Sequence, residues 1–260
     1  LILPVKRATN ARRAERSRWD VSSRRAGLEL LTVGESTKEP QYNFLLELRR
    51  RHGLASFGLM SNQSWSEDPR RVGFLLARYK FVAKMALGRQ KVLEVGCADA
   101  FGTRVVQQEV GHVTAVDFDP LFIEEAKSRL DPRWPLDLRV HDMLGGPVAP
   151  CDFDMVFSLD VLEHIEPHNE AKFLENLIAS LRPHASAVIG MPSIESQAYA
   201  SAASKEGHVN CKTGPDLKAT LQRYFHHVFI FSMNDEVVHT GYHKMAHYLL
   251  ALCCEQRASP

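Results

Sequence analysis

From residue 91 onward, short apolar runs alternate with longer amphipathic ones, and that rhythm restricts the chain to few folds. Residues 91–95, 113–116, 136–140, 155–158 and 187–190 have the length and apolar content of strands. Between them, residues 103–109, 121–130 and 170–181 carry apolar side chains at three- and four-residue spacing, the period of a helix with one buried face. Strands joined through helices run parallel, because a tight hairpin can only reverse direction, and the helices cover both faces of the sheet. Two further apolar runs at 228–233 and 246–252, the first preceded by a helical segment at 214–224, suit an antiparallel edge. The sequence thus predicts an α/β fold: a doubly wound, mainly parallel, seven-stranded sheet with helices on both faces.

The length of 260 residues with 45% apolar content supports one sizeable core. Three regions are expected: a basic extension over 1–40, N-terminal helices capping a site over 41–90, and a catalytic domain over 91–260. The extension carries Lys6, Arg7, Arg12, Arg13, Arg16, Arg18, Arg24 and Arg25, with little apolar periodicity, and reads as a solvated arm. Helical periodicity appears at 42–51 and 68–87, the second entered through Ser66-Glu67-Asp68-Pro69. A formal net charge of +1 gives no global field for nucleic acid or an anionic membrane. Cys97, Cys151, Cys211, Cys253 and Cys254 lack metal-type spacing and form an odd set, so a reducing, cytoplasmic setting is expected. No apolar stretch approaches the roughly 20 residues that span a bilayer, and a monomer or homodimer is expected.

The sharpest local feature is Val92-Leu93-Glu94-Val95-Gly96-Cys97-Ala98-Asp99-Ala100-Phe101-Gly102-Thr103, a strand running into a turn of small residues and then a helix. Open α/β sheets bind ligands beyond the carboxyl ends of their strands, and small residues let backbone approach the ligand. Glu94, at the strand end, either reaches that ligand or orders the turn. The second strand ends on Asp117, about 20 residues past Gly96, where a ribose-binding carboxylate is expected. Phe118 then lies along an adenine face, with Asp142 and Met143 at its edge. A nicotinamide-dependent oxidoreductase shares this architecture, but its G-x-G-x-x-G fingerprint requires glycine where Ala98 and Phe101 stand.

Together these residues resemble the class I S-adenosylmethionine-dependent methyltransferases, in particular the small-molecule branch containing the ubiquinone-biosynthesis O-methyltransferases. The resemblance rests on 92–96, Val116-Asp117, Asp142-Met143, the run from Asp154 to His164, and Leu181-Arg182-Pro183 with the strand to Met191-Pro192. It implies that Glu94, Gly96, Cys97 and Ala98 line the methionine part of S-adenosylmethionine, Asp117 and Phe118 the ribose and adenine, and Asp142 and Met143 the adenine edge. Leu159 would touch the ligand from the fourth strand and Arg78 would meet the methionine carboxylate. Ala98 and Ala100 stand where glycines are more usual.

Methyl transfer from a sulfonium is an in-line displacement that depends mainly on alignment and exclusion of water. A base is required only for a protic acceptor, and His164 and His208 are the candidates, since imidazole accepts protons near neutral pH. The alternatives are a backbone-bonded turn histidine for His164 and a polar loop residue for His208. Glu163 reads as a surface acid and Cys97 as a packing residue. His239, His243 and His247 fall at four-residue spacing, but Gly241 and the strand-like run that follows argue against a metal site, so none is expected. The segments 193–213 and 60–65 are candidates for recognising a small-molecule acceptor. A nucleic-acid methyltransferase of the base-flipping type is disfavoured by Leu159-Asp160-Val161-Leu162 after strand four. A binding protein without transfer activity remains the other alternative.

Overall fold

The computed structural model describes residues 36–257, so most of the basic extension lies outside the described residues. The chain divides after Ala55 into two units, a boundary that falls inside the 41–90 region. In the first unit a 3-10 turn, Pro40–Tyr42, leads into helix α1, Asn43–His52. Glu47 of α1 pairs with Arg50 one turn later.

The second unit begins with α2, Leu59–Glu67, and α3, Arg70–Met85. Asp68 starts α3 by accepting from the Arg70 backbone N–H at 3.2 Å, as the Asp-Pro sequence leads one to expect. There follow β1, Lys91–Val95; α4, Thr103–Gln107; β2, His112–Asp117; α5, Pro120–Ser128; and β3, Asp137–Val140. Then come β4, Phe153–Leu159; α6, Glu170–Ala179; β5, Leu181–Pro192; α7, Ala202–Gly207; and α8, Gly214–Gln222. The last elements are β6, Phe225–Asn234; β7, Val237–His239; and β8, Tyr248–Gln256.

The sheet order is β3-β2-β1-β4-β5-β8-β6-β7. The first five strands are parallel and the remainder antiparallel, with β8 inserted between β5 and β6. The sheet therefore has eight strands where seven were expected. The extra one is a short hairpin partner of β6, and its three residues are too few for an apolar alternation to register.

Strand alternation explains how both faces are buried. In β1, Leu93 and Val95 face a cluster with Phe173, Leu174 and Leu177 of α6 and Leu217 and Leu221 of α8. Val92 faces the opposite cluster, with Tyr79 and Val82 of α3, Val106 of α4 and Ile123 of α5. The same division recurs in β4, with Val156 on one side and Met155 and Phe157 on the other. In α6 the buried positions 170, 173, 174 and 177 form one helical stripe. Among the described residues no helix is long and apolar enough to cross a membrane.

Candidate functional site

Where β1 leaves the sheet, the turn is built by backbone constraint. Gly96 has φ +80°, and a Cβ there would lie 2.1 Å from Val161 Cγ2. Both the backbone conformation and the space thus demand glycine. The Gly96 and Cys97 N–H groups donate to the Val116 carbonyl at 2.8 and 3.1 Å, tying the turn to the tip of β2. Ala98 and Ala100 have φ of 45° and 52°, so the positions that departed from glycine adopt the left-handed conformation glycine would favour. Each costs about 1 kcal/mol of backbone strain.

Asp117 sits at the carboxyl end of β2, buried, and clasps this turn: one oxygen accepts from Ala98 N at 2.9 Å and the other from Asp119 N at 3.0 Å. A carboxylate has lone pairs for further donors beyond these two. Next to it the Phe118 ring is 74% exposed, an uncovered aromatic face beside the turn. Met143 is buried, and its carbonyl accepts from Asn176 Nδ2 of α6 at 2.7 Å. Asp142 is exposed and caps its own turn by accepting from Leu144 N.

Glu94 is buried beneath the turn, where Tyr79 donates to Oε1 at 2.7 Å and Thr103 to Oε2 at 2.6 Å. Of the two roles the sequence left open, ordering the turn is the one these contacts perform. Burial pushes its pKa up from 4.5 to about 7, against the two hydrogen bonds that favour the anion. The folded state then binds a proton that the unfolded state releases between pH 4.5 and 7, so this group stabilises less as pH rises through that window. Glu94→Gln is expected to flatten the fall in urea midpoint between pH 5 and 7.5 relative to the parent. An unchanged slope would show that the group is charged throughout.

Cys97 is buried and its thiol pKa is driven far up by desolvation, with the Glu94 and Asp117 charges adding to the effect. It packs and is no nucleophile. Asp99 went unnoticed in the sequence. It is buried and receives Ser61 N at 2.7 Å, Ser61 Oγ at 3.2 Å and Phe101 N at 3.1 Å, anchoring α2 to the turn. Phe57 stacks on Trp65 of α2 and meets the Phe101 ring at a tilt, 5.0 Å between centroids. The 60–65 segment is thus helical and docked on the turn.

At the end of β4, Leu159 is buried against Gly190, and Asp160, with φ 57°, holds Arg78. The Arg78 Nη1 lies 2.9 and 2.7 Å from the two Asp160 oxygens, and the guanidinium stacks over the Tyr248 ring at 3.8 Å. Arg78 Nε and the Tyr248 hydroxyl are buried without a hydrogen-bond partner among the described residues. Asp160 was missed as a site residue, although an acid directly following a strand is the same signal that exposed Asp117.

Beyond β4 the 3-10 turn Leu162–His164 meets the loop after α7. Val209 N and Asn210 N donate to the Glu163 carbonyl, and His164 Nδ1 bonds the Gly207 carbonyl at 2.9 Å. His208 Nδ1 bonds Gln197 Oε1 at 2.9 Å, and the two imidazoles meet edge to face, 5.0 Å between centroids. The structure therefore brings His164 and His208 together. Burial and the neighbouring His164 lower the His208 pKa. Glu163, expected at the surface, is fully buried under the turn, a position that a three-residue 3-10 turn gives no periodicity to reveal. His239, His243 and His247 fall on a strand, a 3-10 turn and a loop, and share no helix face. The segment 193–213 is itself fixed, through Lys212 to Glu170 at 2.7 Å and Asn210 to Glu170 at 2.8 Å.

A mainly parallel sheet with a positive-φ glycine turn after β1, clasped by the acid at the tip of β2, defines a Rossmann-like α/β domain. Residues 92–184 match the family described as a methyltransferase domain. The mitochondrial ubiquinone biosynthesis O-methyltransferase of Schizosaccharomyces pombe is 33% identical over 103 residues, 38% of this chain and 37% of that protein. A probable S-adenosylmethionine-dependent methyltransferase of Mycolicibacterium smegmatis is 26% identical over 114 residues, 44% of this chain and 42% of that one. The matched region thus spans well under half of these curated relatives. The N-methyltransferase NodS of Bradyrhizobium japonicum, solved with S-adenosyl-L-homocysteine, superposes with a TM-score of 0.54 at 20% identity, over 74% of this chain and 90% of that one. The plantazolicin methyltransferase BpumL, also solved with that product, gives 0.57 at 12% identity, over 76% and 89%. At such identities the likeness is one of fold.

Proposed function

We propose that this chain transfers the methyl group of S-adenosylmethionine to an oxygen of a small-molecule acceptor. The observation that carries the reading is Asp117, a buried carboxylate at the tip of β2 holding the Ala98 amide of the turn, with the open Phe118 ring beside it. In this assignment Asp117 takes the ribose hydroxyls, Phe118 lies on the adenine, and Asp142 and Met143 border its edge. Gly96, Cys97 and Ala98 supply the wall of the methionine part, with Glu94 holding the turn from below and Leu159 closing the side. The buried, unpartnered Arg78 Nε and Tyr248 hydroxyl suit the methionine carboxylate, which would satisfy donors that are otherwise costly to leave bare.

When bound, the sulfonium supplies an activated methyl group with thioether as leaving group. The protein's part is to align an acceptor oxygen behind that methyl and exclude water. His164 and His208 are assigned to the acceptor side, where an Nε2 lone pair can take a hydroxyl proton. Oxygen is preferred as the acceptor atom because the Schizosaccharomyces pombe relative, matched over 37% of its length, is an O-methyltransferase. A small acceptor fits a chain of formal net charge +1, which lacks the basic excess that nucleic acid selects.

Methyl-labelled S-adenosylmethionine incubated with the protein and a panel of phenolic, carboxylic and amine acceptors tests this. Label is expected on the oxygen acceptors, with adenosylhomocysteine released in equal amount. Labelling confined to amines would contradict oxygen transfer, and no product from any acceptor would favour a protein that only binds.

A further inference from the structure

We propose that Glu163, His164 and His208 form a binding site for one divalent transition-metal cation. One ligand atom from each of the three residues lies within 4.8 Å of the others. Glu163 is 0% exposed, and both its carboxylate oxygens lack a hydrogen-bond partner among the described residues. An isolated buried carboxylate is costly, and a cation removes that cost.

The imidazoles point to the same conclusion from a different side. Each has its Nδ1 bonded to a fixed acceptor, the Gly207 carbonyl for His164 and Gln197 Oε1 for His208. An Nδ1–H donated to those oxygens leaves each Nε2 as a bare lone pair, which is how metal-ligating histidines are oriented by their outer partners. Asp160 adds a second carboxylate to the Glu163 environment, its charge offset by the Arg78 guanidinium bonded to it. Metal–ligand bonds of about 2.1 Å place donor atoms nearer than the 4.8 Å limit, so binding draws the exposed His164 ring inward.

Two nitrogens and one carboxylate oxygen suit zinc, cobalt or manganese better than calcium, and three protein ligands leave positions open. One consequence rests on the methyl-transfer reading. An acceptor hydroxyl coordinated at an open position would lose its proton to solvent more readily, and its oxygen would bond the methyl carbon as the sulfur–carbon pair returns to sulfur. The histidines would then serve as ligands in place of proton acceptors.

The test is titration of the chelator-treated, dialysed full chain with Co²⁺, followed by its visible absorption. One equivalent is expected to bind with saturable bands. His208→Ala, at a half-buried loop position, and Glu163→Gln are each expected to weaken uptake by about 100-fold or more. Absence of saturable bands, or uptake that His208→Ala leaves unchanged, would overturn the proposal. Adenosylhomocysteine binding by the same cobalt-free protein is read separately, so failure of the donor site and failure of the cation site are distinguished.

Discussion

Replacing Asp117 with alanine is expected to weaken adenosylhomocysteine binding by about 100- to 1000-fold. Two charge-assisted hydrogen bonds to ribose hydroxyls, at roughly 1.5 to 2 kcal/mol each, account for that loss. The same carboxylate holds Ala98 N and Asp119 N, so the variant also loosens the turn that the methionine chain lies against. Asp117→Asn separates the two effects, since its amide oxygen can still accept from Ala98 N but brings no charge to the ribose. An intermediate loss is expected for it in equilibrium dialysis, with a cooperative unfolding transition retained in both variants. Affinity unchanged in Asp117→Ala would mean that the nucleoside is held elsewhere.

Gly96→Ala is expected to lower stability by about 2 to 5 kcal/mol, a large fraction of the 5 to 15 typical of folded domains. The backbone contributes about 1 to 2 kcal/mol, because φ is +80°. The remainder comes from driving a methyl group to within 2.1 Å of Val161 Cγ2. Since these causes are independent, Gly96→Ala combined with Val161→Ala relieves the clash and leaves the backbone cost. Urea midpoints should show a smaller loss when Gly96→Ala is introduced into a Val161→Ala background than when it is introduced into the parent. Full additivity of the two substitutions would contradict the contact.

The parallel half of the sheet was legible because each strand there is buried on both faces and each crossover helix carries one apolar stripe, so length and period agree. β7 escaped because three residues pairing only with β6 carry no such signature. At the site, Asp117 was readable from its place at a strand end, and so in principle was Asp160. Glu163 was not, because its burial comes from Val209 and Asn210 docking on its backbone, a contact 46 to 47 residues away in sequence that no local pattern encodes. The pairing of His164 with His208 is likewise tertiary, set by Gly207 and Gln197. Asp99 lay in plain view within the turn, yet its partner Ser61 comes from a helix 38 residues earlier.

Calorimetric titration of the folded chain with S-adenosylhomocysteine tests the donor pocket most directly. Saturable heat at one molecule per chain is predicted, with a nicotinamide dinucleotide giving none under the same conditions. Heat with the dinucleotide and none with adenosylhomocysteine would contradict the account.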